Sequence, residues 1–273
     1  MSVRPSVRSL LASGEPVIGT WAQLPHPEVV DILGGFGFDF AIVDLEHGHF
    51  GLERATDMIR ACEAAGLVPL ARVRGRGEIG QVLDAGAGAV VVPGIASRED
   101  ADAAIAATRF APGGTRGACP CVRAVGQYAT SWQRFEAADE AGAILLVETA
   151  EGVAAIEEIV AAPGALALML GPFDLSVSLG FRGDWRHPEV QAALRRMREA
   201  ARAASLPVIV PVFDADAEAA RTQMAAWRAD GVSAFTIGTD KILLADACRR
   251  WSALGRWNDA RPDGTGFGSI RSG

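Results

Sequence analysis

Two acidic side chains, Glu148 and Asp174, follow short apolar runs and lie 26 positions apart. If those runs are neighbouring strands, the two carboxylates meet at one rim. Two hard oxygen ligands plus waters suit octahedral Mg²⁺ or Mn²⁺, with coordination positions left for a substrate. A 2-oxo acid chelates such an ion through its keto and carboxylate oxygens, and the ion then stabilises an enolate. Arg72 closes another apolar run, where its planar fork suits a carboxylate. His47, in Asp44-Leu45-Glu46-His47, belongs to the residue type that moves protons near neutrality.

Each of these residues also has a plainer reading. An acid after a strand is often a helix N-cap, and Asp174 precedes Leu175-Ser176. Arg72 would equally pair with a rim carboxylate, and His47 would serve as a satisfied structural histidine. Singly, the plainer readings prevail. Taken together, acids, arginines and a histidine at strand ends point to a site.

The elements that must position them are legible. Apolar runs occur at Val17–Leu24, Phe38–His47, Val68–Val73, Ala89–Gly94, Ala143–Thr149, Leu166–Pro172, Leu206–Val212 and Ser233–Asp240. Near-continuous apolar strands fit a parallel sheet buried on both faces. Ala-rich amphipathic stretches alternate with them: Leu52–Ala65, Glu99–Arg109, Gly152–Ala161, Val190–Ala204 and Ala215–Ala229. Eight strands alternating with helices predict a single α/β domain, a (β/α)8 TIM barrel, with its site at the C-terminal ends of the strands. A doubly wound sheet is the runner-up, weakened because no GxGxxG follows the first strand. The barrel domain is expected over residues 1–257. The tail 258–273, poor in apolar residues, is expected to be flexible. Pro112–Gln127 is Gly-rich and basic and reads as a functional loop.

Composition bounds the partners. The 273 residues carry a formal net charge of −7, which argues against nucleic acid and an anionic membrane surface as partners. The four cysteines make neither a zinc pattern nor a disulfide framework, so a cytoplasmic protein with reduced thiols is expected. The N-terminal stretch lacks the apolar core of a signal peptide, and no apolar run is long enough to span a membrane.

Several motifs occur in order: Asp44-Leu45-Glu46-His47, Leu83-Asp84-Ala85-Gly86-Ala87, Gly113-Gly114-Thr115-Arg116-Gly117, Val147-Glu148-Thr149 and Gly171-Pro172-Phe173-Asp174-Leu175-Ser176. From Gly19 to Asp240 the chain resembles the metal-dependent class II pyruvate aldolases of the HpcH/HpaI aldolase (citrate lyase-like) family. The resemblance implies a phosphoenolpyruvate/pyruvate-binding barrel with Mg²⁺, Mn²⁺ or Co²⁺ on Glu148 and Asp174. It places Arg72 on the oxo-acid carboxylate and His47 in acid–base work, with Asp84 orienting His47. Trp21, Gly171, Pro172 and Phe173 fall at the substrate. The implied reaction splits a hydroxy-oxo acid into a pyruvate-type enolate and an aldehyde, or joins them. The implied assembly is a homo-oligomer, often a hexamer, in which the loop around Arg116 and Arg123 covers a neighbour's site.

This chain departs from the family pattern at two positions. Leu146 stands where a Gln is common, which removes one polar contact. Phe173 stands where a small residue is frequent, which narrows the pocket or adds an apolar contact to the aldehyde. The sequence allows four other readings. One is a His47-Gly48-His49 metal site, and another is a Schiff base on Lys241, the only lysine. The remaining two are a lyase for a coenzyme A thioester and an oxo-acid-binding barrel without catalysis.

Overall fold

Strands that are apolar on both faces must be covered on both, and closing the sheet on itself achieves this. A computed structural model describes residues 5–214 and 216–254. Eight parallel strands pair in chain order and close, with β8 beside β1. They are β1 (Val17–Ala22), β2 (Phe40–Asp44), β3 (Val68–Arg72), β4 (Ala89–Val92), β5 (Gly142–Val147), β6 (Ala167–Leu170), β7 (Val208–Val212) and β8 (Ala234–Thr239).

Helix α1 (Val7–Ala12) precedes β1, and α2 (Pro27–Gly35), α3 (Leu52–Ala64) and α4 (Ile79–Asp84) follow the first three strands. Helices α5 (Arg98–Thr108) and α6 (Gln133–Ala138) lie between β4 and β5, and α7 (Ala150–Ala154) and α8 (Ile156–Val160) between β5 and β6. Helices α9 (Pro172–Ser178) and α10 (Pro188–Ala203) connect β6 to β7, α11 (Ala217–Ala229) follows β7, and α12 (Asp240–Leu254) follows β8. The closed barrel is the expected architecture, and the doubly wound alternative is excluded by the β1–β8 pairing. Every expected strand forms, trimmed at its ends. The helix expected over Gly152–Ala161 is instead two short helices, α7 and α8, that meet at Ala155. The expected tail, 258–273, lies outside the described residues.

Strand alternation sorts the side chains into two layers. Trp21, Phe40, Ile42, Leu70, Val91, Ile144, Leu146, Met169 and Ile209 fill the barrel interior, and Val7 and Leu11 of α1 join them. Ala22, Val43, Val90, Leu145, Leu168, Val210 and Phe235 point outward into the helix layer. Helix α12 departs from this pattern. Only Asp240 in it is buried, while Leu244, Trp251 and Leu254 are 55, 74 and 65 % exposed.

The interior is packed to contact, and Gly19 marks its tightest point. A Cβ at Gly19 would sit 2.2 Å from the Phe40 ring, and Phe40 is only 1 % exposed. Gly19→Ala should therefore overpack the barrel and lower stability by about 1–3 kcal/mol. The shift of the urea unfolding midpoint measures this, and an unchanged midpoint would mean that Phe40 yields freely.

Candidate active site

The strand ends carry polar residues because a side chain there can reach water while its backbone stays in the sheet. Asp44, the last residue of β2, is fully buried, and Arg72, the last of β3, is 8 % exposed. The two residues pair across the β2–β3 ladder. Arg72 Nε donates to Asp44 Oδ1 at 2.8 Å, and Nη2 donates to Oδ2 at 2.6 Å. Gln23 Nε2 donates to Oδ2 at 2.8 Å, and the backbone N–H groups of Glu46 and His47 donate to Oδ1. Burial pushes the Asp44 carboxyl up, but the Arg72 guanidinium and these donors outweigh it and hold the carboxyl below its ordinary value.

Arg72 also meets Glu46 Oε2 through Nη1 at 3.1 Å. Its guanidinium lies 4.4 Å over the Trp21 ring. Trp21 is buried inside the barrel and donates its indole N–H to Thr236 Oγ1 at 2.9 Å. The structure therefore makes Trp21 the platform beneath Arg72. The reading of Arg72 as a partner of a rim carboxylate is also correct as far as it goes. Of the five guanidinium N–H groups, two donate to Asp44 and Nη1 faces Glu46, which leaves N–H groups on both Nη atoms for a ligand.

Glu148 follows β5 and Asp174 sits in the first turn of α9, after β6. The Glu148 carboxyl is pushed up to about 7, first by burial and then by the negative charges of Asp174 and Glu46. The Gly94 N–H, 2.9 Å from Glu148 Oε1, and the Arg72 charge oppose the rise. Gly94 holds that N–H in place with φ +67°, a left-handed conformation suited to glycine. Gly171 lets the β6–α9 turn approach, since a Cβ there would lie 2.3 Å from Glu148 Cβ.

Asp174 is not the cap of α9. Gly171 occupies that position without a side-chain bond, and Pro172 opens the helix. No hydrogen bond to the Asp174 carboxylate forms among the described residues. The donor set fits a hard divalent cation: two carboxylates on adjacent connections, one of them disfavoured as an anion until a positive charge arrives. Among the described residues no cluster of three or more His, Cys, Asp and Glu side chains forms a cage, so water and substrate oxygens would complete the shell.

His47 is exposed at the same rim, and its imidazole has no partner among the described residues. It is therefore not a satisfied structural histidine. Both His47 and His49 lie in the turn after β2, so strand alternation does not align them. Phe173 is 54 % exposed, and its ring edge lies against Gly183. Leu146 is buried in the barrel interior, so the polar contact of the usual Gln is absent there. Lys241 stands at the start of α12 and donates its backbone N–H to Asp240.

Within this chain Asp84 is not bonded to His47 and pairs elsewhere. A helix that follows a barrel strand runs back toward the N-terminal end, and Asp84 is the last residue of α4. There its Oδ1 accepts from Arg116 Nη2 at 2.9 Å. Arg116, whose side chain is 1 % exposed, also stacks on Phe110, and Arg123 pairs with Glu63. The loop 112–127 is thus fastened at the end of the barrel away from His47.

The motif Asp44-Leu45-Glu46-His47 gives no separate role to Asp44 or Glu46, and Gln23 and Gly94 carry no sequence signal of their own. An acid inside an otherwise apolar strand end is the signal that marks Asp44, because such a charge must be paired.

The raised Glu148 value sets a pH signature. The folded carboxyl titrates at about 7 against an ordinary 4.5, so between those values the folded chain holds a proton that the unfolded chain lacks. Stability from this group is therefore lost as pH rises through that window. In metal-stripped protein Glu148→Gln should gain on the wild type by roughly 2 kcal/mol between about pH 5 and pH 8. Urea unfolding at the two pH values measures it, and a pH-independent difference would mean that the carboxyl ionises normally.

Comparison with known proteins agrees with this geometry. Residues 17–251 match the family model described as HpcH/HpaI aldolase/citrate lyase. A 2-dehydro-3,6-dideoxy-6-sulfogluconate aldolase of Pseudomonas putida is 35 % identical over 195 residues, 70 % of this chain and 76 % of that one. A hydroxypyruvate/pyruvate aldolase of Roseovarius nubinhibens is 31 % identical over 260 residues, 92 % of this chain and 97 % of that one. The crystal structure of an HpcH/HpaI aldolase/citrate lyase family protein from Burkholderia cenocepacia superposes with a TM-score of 0.84 at 32 % identity, covering 92 % of this chain and 99 % of that one. A closed eight-stranded barrel with Arg72, Glu148 and Asp174 at one rim, matched over nearly its whole length, belongs to the HpcH/HpaI aldolase/citrate lyase family.

Proposed function

We propose that this chain is a divalent-metal-dependent aldolase, a carbon–carbon lyase that cleaves or forms 4-hydroxy-2-oxo acids through a pyruvate-type enolate and an aldehyde. The observation that carries this reading is the meeting of Glu148 and Asp174, on adjacent strand-to-helix connections, at the rim that also holds the buried Arg72, where burial and two neighbouring acids push the Glu148 carboxyl up. A cation beside Asp174 removes that penalty. Glu148 and Asp174 would hold Mg²⁺, Mn²⁺ or Co²⁺, which when bound supplies Lewis acidity to the keto oxygen.

The chain's own groups do the rest. The N–H groups left on the Arg72 Nη atoms bind the oxo-acid carboxylate, while Asp44 and Trp21 fix the plane of the guanidinium. Gly171 and Pro172 shape the turn that lets substrate lie against Glu148, and exposed Phe173 offers an apolar wall to the aldehyde part. His47 takes the proton of the 4-hydroxyl as the C3–C4 bond breaks and the aldehyde forms. The bond's electron pair becomes the enolate, which is then protonated at C3 to release the 2-oxo acid. In this reading Asp84 contributes to fastening the loop 112–127.

We place this activity on one barrel domain over residues 1–257 that works as a homo-oligomer. The exposed Leu244, Trp251 and Leu254 face of α12 favours association. No helix is long and apolar enough to cross a membrane among the described residues. The exposed free thiols of Cys119, Cys121 and Cys248 suit a reducing cytoplasm.

The test uses metal-stripped protein with pyruvate or hydroxypyruvate and small aldehydes. Turnover should appear only on adding Mn²⁺ or Mg²⁺. It should fall by about 10²–10⁴ in His47→Ala and by a comparable factor or more in Glu148→Ala. Gly171→Ala, which displaces Glu148, should weaken Mn²⁺ binding by about tenfold or more, read by titration of the metal. Cleavage of coenzyme A thioesters alone would turn the assignment to that lyase class. Ligand binding without turnover would make the barrel a sensor.

A further inference from the structure

One acid near the rim has no part in the chemistry above, although it is among the most buried in the chain. Asp240, directly after β8, is 4 % exposed. No ion pair to its carboxylate forms among the described residues. Instead Oδ2 accepts the backbone N–H groups of Gln23 and Leu24, each at 2.8 Å, and Oδ1 accepts that of Lys241 at 2.8 Å. The start of α12 does not depend on Asp240 alone, because Thr239 Oγ1 accepts the Ile242 N–H at 3.1 Å.

A buried carboxylate without a cation is costly and persists only when its oxygens are well supplied with donors. Here both oxygens accept, and their donors come from two separate segments. An amide at this position offers one accepting oxygen and turns an N–H toward a donor on the other side. The carboxylate therefore joins the start of α12 to the connection after β1 in a way no neutral isostere reproduces. The residue it fixes by the backbone is Gln23, whose side chain donates to Asp44 Oδ2 at 2.8 Å. Asp44 in turn holds both edge nitrogens of Arg72.

We propose that Asp240 is a positioning residue: through the backbone of Gln23 it sets the Gln23 carboxamide on Asp44, and so the angle at which Arg72 meets the substrate carboxylate. The role rests on the reading of Arg72 as the oxo-acid binder. Asp240 touches neither substrate nor metal in this assignment, so it acts on binding before chemistry.

The experiment compares wild type, Asp240→Asn, Gln23→Met and the double variant. The first readout needs no activity. It is the side-chain Nε–Hε resonance of Arg72, identified by its loss in Arg72→Lys. Both single variants should move that resonance and speed its exchange with water. In steady state both should raise KM for the 2-oxo acid about tenfold with a much smaller change in kcat. The double variant should be no worse than the worse single one, because both act through Asp44.

A merely structural Asp240 would lower the unfolding midpoint and leave the resonance and KM where they were, which overturns the proposal. Multiplying effects in the double variant would overturn it too. Should Asp240→Asn not fold, Gln23→Met tests the same chain from its half-exposed end, and an unmoved resonance there breaks the link. If the resonance moves while the wild type turns over no hydroxy-oxo acid, the positioning role stands and the functional assignment fails.

Discussion

The Asp44–Arg72 pair is the contact on which the rim depends. A buried ion pair of this kind holds its place only if each partner's remaining hydrogen-bonding capacity is met, because removing either charge strands the other. The barrel meets that condition. Gln23 and two backbone N–H groups complete Asp44, and Glu46 and the face of Trp21 complete Arg72. Trp21 is held in turn by Thr236 from β8. The guanidinium is thereby fixed by Trp21 of β1, Asp44 of β2 and Glu46 in the turn after β2, with N–H groups left on its Nη atoms. An arginine that merely projected from a strand end would have to be ordered by its ligand, at the expense of affinity.

The other half of the rim runs on repulsion. Glu148 is crowded by Asp174 and Glu46 and is partly withdrawn from water. Two glycines enforce this arrangement: Gly171 has no side chain to push Glu148 away, and Gly94 turns a backbone N–H toward it. Neither glycine carries chemistry. Each permits an approach that a Cβ or an ordinary backbone angle would prevent. The arrangement leaves Glu148 in unfavourable electrostatics that a nearby positive charge would relieve.

The two ends of the barrel have different charge logic. At the end away from the rim, Arg116 and Arg123 find Asp84 and Glu63 and bind the long loop 112–127 to the helix layer. There the charges neutralise one another. At the rim, the acids Glu148 and Asp174 have no arginine bonded to them among the described residues, and the imidazole of His47 stands free. That contrast separates charges that hold the fold from charges available for binding.

The sequence by itself determined the eight strands, their alternation with helices and the rim that carries Arg72, Glu148, Asp174 and His47. It could do so because hydrophobic periodicity and strand-end position are local properties. It leaves both readings of Arg72 open, and the structure shows the pairing with a rim carboxylate. Only the tertiary structure decided who partners whom. Asp84 sits in a motif that looked like part of the site, yet α4 carries it to the opposite end, because a helix after a barrel strand must run back. Strand alternation turns Trp21 inward, where it becomes a buried platform under Arg72. Asp44, Gln23, Gly94 and Asp240 gave no reading of their own because each acts through a residue far away in the chain. Hydrogen-bond direction between distant segments depends on barrel register and closure, which no local pattern encodes.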